Sequence, residues 1–217
     1  MAMTIKAGFV PSIRSRRGED PWSQKMRSDS LATFAKVDGL EIVVPKAAPE
    51  SVDAPSAKGF TVDGMVSGLD DGEAVAEYFL DERVDAVILC PLDFGDERSA
   101  SKIAEKLDVP VLLYATKEPP VPEGPSMARK SDSYCGNLSM ASGLYRRKIA
   151  FHYAGIFFPE EEALLKEVET FKAAVSVVKG LKGARIGQVG VRPPTFETVG
   201  YDEAALIQKF GQNVIYS

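Results

Sequence analysis

Residues 84–116 constrain the fold more than any other stretch, because they read strand, loop, helix, strand without a break. Ala86-Val87-Ile88-Leu89-Cys90 is a continuous apolar run, the pattern of a strand buried on both faces. Residues 91–98 form a polar loop with a turn glycine, Gly95, and acidic residues suited to a helix start. Ile103, Ala104 and Leu107 then recur at helical spacing, and Val109-Pro110-Val111-Leu112-Leu113-Tyr114 is a second buried strand. Two such strands joined through a helix must run parallel, since the crossover is too long for a hairpin, and such crossovers are right-handed. In open parallel sheets ligands bind beyond the carboxyl ends of the strands, which makes loop 91–98 the first place to seek function.

The remainder of the first half repeats this alternation. Residues 5–10 read as the first strand, residues 23–37 as a helix, residues 40–44 as the second strand and residues 46–68 as a loop with at most a short turn of helix. Asp70-Asp71 can cap a helix whose apolar face is Ala74, Val75, Tyr78, Phe79 and Leu80. The order predicts an α/β fold, a flavodoxin- or Rossmann-like parallel sheet with helices on both faces and the first strand near the centre. In that topology the loops after the first and third strands flank a switch point. Arg14, Arg16, Arg17 and Trp22 fall on one side of it, and Asp93, Phe94 and Arg98 on the other.

Residues 118–125 contain Pro119, Pro120, Pro122 and Pro125, which suit neither a helix nor a central strand. The expected organisation is an amino-terminal α/β domain over 1–117, a proline-rich linker over 118–130, and the start of a second α/β domain over 131–217. Within the latter, 134–151 reads as a helix, 155–159 as a connector, 160–179 as a strongly amphipathic helix, 184–189 as a strand, 201–210 as a helix and 213–217 as a strand. A domain that stops on its second strand is expected to be incomplete.

Composition excludes several classes of function. Of 217 residues 45% are hydrophobic and 26% charged, enough for one large or two small globular domains. A net charge of -5 argues against nucleic acid as a partner. No apolar run reaches membrane-spanning length and the first residues lack a secretory core, so a cytoplasmic location with no membrane partner is expected. The two cysteines, Cys90 and Cys135, make no disulfide framework, and Cys90 is expected in the core. The glycines of residues 180–190 do not follow a strand and open a helix, as dinucleotide binding requires. The single histidine, His152, sits at a predicted helix end without spaced partner ligands, which favours a structural role over metal binding or a Ser–His–Asp arrangement. Asp96-Glu97 reads as a helix cap. The arginine cluster beside Gly18 and Trp22 suits hydroxyls, carboxylates or phosphates, with the indole available to stack on a sugar face; packing against another subunit suits it equally.

Three segments resemble the L-fucose/L-arabinose isomerase superfamily. They are residues 131–144 (SDSYCGNLSMASGL), residues 184–192 (ARIGQVGVR) and residues 205–211 (ALIQKFG); the Arg16-Arg17-Gly18 turn is similar to the opening of fucose isomerases. The resemblance implies the amino-terminal portion of a ketol isomerase interconverting an aldose and a ketose. Family enzymes of this kind use a divalent metal, Mn2+, to stabilise the developing enediolate. The resemblance places the Glu, Asp and His ligands downstream of the matched region, so no catalytic or metal-binding residue is expected in this chain and no activity alone. It also implies a homo-oligomer in which this domain helps close a neighbour's site, with Arg16, Arg17 and Trp22 contacting sugar; the switch-point topology adds Asp93 and Phe94 as candidate sugar contacts. A non-catalytic sugar-binding module and a ligand-free assembly domain are the rival readings. The broad apolar face of residues 160–179 is of the kind a partner covers. Light scattering is therefore expected to detect species larger than a monomer, and a monomer persisting at high protein concentration would contradict self-association.

Overall fold

The apolar run at residues 86–90 is a strand, and it lies at the centre of the sheet. The computed structural model describes residues 3–14, 21–49, 58–120 and 130–216. It divides into two units, Met1–Lys172 and Ala173–Ser217. The first unit carries strands β1 (Ile5–Ser12), β2 (Leu40–Val43), β3 (Lys46–Ala47), β4 (Phe60–Thr61), β5 (Ala86–Pro91), β6 (Val111–Thr116) and β7 (Phe151–Phe157). Its helices are α1 (Pro21–Phe34), α2 (Leu69–Asp81), α3 (Glu97–Leu107) and α4 (Ser133–Arg146), and α5 (Glu162–Leu181) begins in it. Five strands form one parallel sheet in the order β2-β1-β5-β6-β7. The α/β class and a first strand next to the centre agree with the sequence reading.

Alternation along the strands sorts the core into two layers. Val10, Leu89 and Leu113 pack with Val75, Ile103 and Met140, which places α2, α3 and α4 on one face. Phe9 points the other way and meets Phe34 of α1 edge-on at 5.2 Å between ring centroids; Phe34 in turn meets Tyr114 at 6.1 Å. Such aromatic pairs add about 0.5–1.5 kcal/mol beyond their buried area. The buried Tyr114 hydroxyl donates to Ser30 Oγ at 2.7 Å, and Ser30 Oγ donates to the Met26 carbonyl at 2.6 Å. Cys90 is fully buried as expected, and burial pushes its thiol pKa up.

Several predicted elements differ from those observed. Besides the short helical turn expected there, a 3-10 turn at Val62–Gly64, the stretch 46–68 carries the short parallel pair β3/β4. Asp71 serves the start of α2 by accepting the Ser67 N–H at 2.8 Å, while Gly68 occupies the cap position. The predicted helix 134–151 stops at Arg146, Lys148 turns with φ 58°, and residues 151–157, read partly as helix and partly as connector, are strand β7. β7 pairs with β6, so the chain after residues 118–130 returns to the same sheet, and the expected change of domain there falls inside the first unit. The physical reason is a closure at the ends of that segment. The Glu118 carboxylate accepts the N–H groups of Lys130, Ser131 and Asp132 at 2.9, 3.1 and 2.6 Å and the Ser131 hydroxyl at 2.7 Å. Burial opposes its ionisation, but these donors together hold its pKa below the usual carboxylate range.

The second unit, Ala173–Ser217, contains β8 (Arg185–Gln188), α6 (Glu203–Phe210) and β9 (Asn213–Tyr216). β8 and β9 form a parallel pair. Asp202 caps α6 by accepting the Ala205 N–H at 2.9 Å, and Gly211, at φ 63°, ends it.

Close packing of α2 on the sheet requires Gly8. A Cβ there would stand 2.5 Å from the ring of Phe79, which is fully buried. Gly8→Ala is expected to lower stability by about 1–3 kcal/mol in urea denaturation, as overpacking does; an unchanged midpoint would contradict this packing.

Candidate functional site

β1 and β5 run side by side to their carboxyl ends, where Ser12 pairs with Pro91 and the Leu92 N–H donates to the Ser12 carbonyl at 2.9 Å. Beyond this point the chains part. β1 leads through α1 toward β2, and β5 leads through α3 on the opposite face toward β6, which is the strand-order reversal that opens a crevice.

Arg14 crosses that crevice. Its N–H donates to Asp93 Oδ1 at 2.8 Å, its Nε donates to the Gly95 carbonyl at 3.3 Å, and its Nη2 donates to Glu97 Oε2 at 3.3 Å. The guanidinium carbon lies 3.7 Å from the Phe94 ring centroid, a stacking contact worth about 0.5–1 kcal/mol at an exposed site. Asp93 Oδ1 also accepts the Gly95 N–H at 2.6 Å, so one carboxylate sets both the turn and the arginine. The Arg14 side chain remains 53% exposed. A flat cation fixed on an aromatic ring, with an acceptor beside it, is suited to polar ligands bearing adjacent hydroxyl or anionic groups.

A second layer of contacts holds this rim. Asp96 caps α3, Oδ1 accepting the N–H groups of Arg98 at 2.9 Å and Ser99 at 3.4 Å, while Oδ2 accepts the Gly68 N–H at 3.1 Å. The Asp96 N–H donates to Ser12 Oγ at 2.9 Å, which ties the start of α3 to the end of β1. Burial works against the Asp96 charge, yet the Arg98 side chain and the backbone donors outweigh it and hold its pKa below the usual range. The segment before α2 joins the rim through Ile13 N–H to Val66 O at 3.0 Å and Val66 N–H to Pro11 O at 2.9 Å. On the far side, α4 approaches so closely that a Cβ on Gly136 would lie 2.0 Å from the Phe94 carbonyl oxygen. Ser133 Oγ donates to the Pro91 carbonyl and accepts the Thr116 N–H at 3.0 Å. The rim therefore has little freedom to shift.

Of the residues expected to contact sugar, Asp93 and Phe94 are brought together, half-buried, around Arg14. Trp22 lies in the first turn of α1 and is half-buried. Arg16 and Arg17 lie outside the described residues. Sequence reasoning placed Arg14 in the cluster without singling it out; its position, two residues past the end of β1, was the available signal. The reach of Asp96 to Gly68 and Ser12 had no local signal, although its capping role did. His152 lies in β7 rather than at a helix end, with Nε2 2.7 Å from Glu167 Oε2. Among the described residues no group of three or more His, Cys, Asp or Glu side chains is placed to hold a metal ion, and no helix is long and apolar enough to cross a membrane.

Comparison with known families gives a match over residues 60–182, which fit the model for the fucose/sulfoquinovose isomerase N-terminal domain. No curated protein matches the chain. The matched segment includes β5, α3, β6, α4 and β7, and thus Asp93, Phe94 and Asp96 of the rim.

Asp96 provides a measurable test of the rim. Loss of a helix cap costs about 0.5–2 kcal/mol, so Asp96→Ala is expected to fall in that range near neutral pH. Because the folded carboxyl titrates below its unfolded value of about 3.9, its contribution is present above that pH and is lost as pH falls through the folded value. The gap in denaturation midpoint between wild type and Asp96→Ala should therefore narrow below about pH 4. A gap of constant size across the acid range would contradict the ionised cap.

Proposed function

The chain belongs to the fucose/sulfoquinovose isomerase family, and from that membership we propose that it recognises and orients the sugar at the β1/β5 edge for an aldose–ketose isomerisation. The observation that carries the reading is Arg14, held across the switch point by Asp93, Gly95 and Glu97 and stacked on Phe94. A guanidinium has five N–H donors in a rigid fork, so those not engaged with the protein can meet neighbouring hydroxyl oxygens of a sugar. Phe94 offers an apolar surface beside these donors, the combination that sugar sites need for a ring with polar edges and C–H faces. In this reading Arg16, Arg17 and Trp22 are further sugar contacts, and the protein is a cytoplasmic homo-oligomer.

Ketol isomerisation moves a proton between adjacent carbons through an enediol. The Mn2+ that the resemblance implies would stabilise the developing charge. Among the described residues no group of three or more His, Cys, Asp or Glu side chains fits that ion. What this chain supplies is binding, orientation and exclusion of alternative poses.

Titrating L-fucose, and separately sulfoquinovose, into isotopically labelled protein tests the reading. At least one sugar is expected to cause saturable NMR shifts of residues 93–96. Arg14→Ala, which removes charge-assisted hydrogen bonds worth roughly 1.5–3 kcal/mol, should weaken binding by about tenfold or more. Phe94→Leu, which keeps the apolar volume and removes the stack, should weaken it less. Absence of saturable shifts for both sugars, or wild-type affinity in Arg14→Ala, would overturn the proposal.

A further inference from the structure

We propose that the cavity between α3 and α4 is a binding site for a tetrahedral oxyanion, the phosphate or sulfate group of a small polar molecule. The cavity measures about 540 Å³, within the range of small-molecule sites. Arg98 and Glu97 line it from the first turn of α3; Ser139, Ser142, Arg146 and Arg147 line it from α4. Three guanidinium groups thus face one carboxylate in a chain whose net charge is -5.

That carboxylate is already engaged, because Glu97 Oε2 accepts from Arg14 Nη2 at 3.3 Å. Arg98 is tethered from one side, its Nη2 3.2 Å from Asp96 Oδ2. Arg147 Nη1 donates to the Gly143 carbonyl at 3.2 Å, and neither Arg146 nor Arg147 has an ion pair among the described residues. Basic residues at the end of a helix are favoured by its dipole, which accounts for Arg146 and Arg147 at the end of α4. Arg98 sits at the start of α3, where the dipole disfavours a cation and its pairing with Asp96 offsets that cost. Asp96 neutralises Arg98, while the exposed Arg146 and Arg147 leave positive charge at the cavity for an anion to meet.

The helices can share this cavity because Gly143 lets them approach. A Cβ at that position would lie 2.6 Å from Ser101 Oγ, which is buried without a hydrogen-bond partner among the described residues. The N–H groups of Arg98 and Ser99 are occupied by Asp96, so recognition rests on the side chains and not on the helix terminus. No aliphatic or aromatic side chain lines the cavity, which leaves no apolar wall for an acyl chain. Guanidinium forks and serine hydroxyls instead match the oxygens of a compact anion.

Inorganic phosphate is the probe. Calorimetry and NMR at constant ionic strength should show saturable binding with a dissociation constant on the order of 1 mM or tighter, with shifts at Ser139, Ser142 and Gly143. Arg146→Gln combined with Arg147→Gln should weaken binding by about tenfold or more, and Arg146→Gln alone, a change at an exposed side chain, should weaken it measurably. Lys36→Gln, an exposed charge elsewhere, should leave the affinity within about twofold, since it changes only screened long-range attraction. Non-saturable shifts, or equal losses in Lys36→Gln and the arginine variants, would overturn the proposal.

Discussion

The first unit depends on β5 being enclosed on both edges and both faces. Its side chains from Ala86 to Cys90 are all fully buried, so its main-chain polar groups must find partners in neighbouring strands. β1 and β6 supply them, both in parallel register. Parallel neighbours require crossovers, and crossovers place helices over the sheet. The carboxyl ends of all five strands then fall on one edge. The reversal between β1 and β5 parts their following loops, and Arg14 spans that gap.

How legible this was in the sequence varied with the range of the interactions responsible. The apolar run at residues 86–90 and the helical spacing after it are local patterns, and they led to the right class of sheet. The capping role of Asp96 was equally readable, because it acts on residues two and three positions away. The destination of the chain after the prolines was not. It depends on Glu118 gathering donors from Lys130 to Asp132 and on β6 accepting β7 as its neighbour. β7 itself, Phe151-His152-Tyr153-Ala154-Gly155-Ile156-Phe157, lacks the burial of a central strand. It is an edge strand with a register shift, so its alternation is blurred.

The same limit applies to the arginines. Arg14 is indistinguishable by type from Arg16 and Arg17, and its stack on Phe94 follows from its position two residues past the end of β1. Arg98, Arg146 and Arg147 are nearly fifty residues apart at the extremes, and no spacing rule brings them together; the close approach of α3 and α4 at Gly143 does. Glu97 touches both settings, lining the α3/α4 cavity while its carboxylate holds Arg14. The rim and the cavity thus share one side chain.

Sugar recognition at the switch point is the central functional claim, and it concerns location. A crystal structure of the protein grown with L-fucose or with sulfoquinovose measures location directly. The expected map shows the sugar at the β1/β5 edge, with hydroxyl oxygens within hydrogen-bonding distance of the Arg14 guanidinium and a C–H face toward Phe94. Sugar bound elsewhere on the molecule, with Arg14 and Phe94 in contact only with solvent, would contradict it.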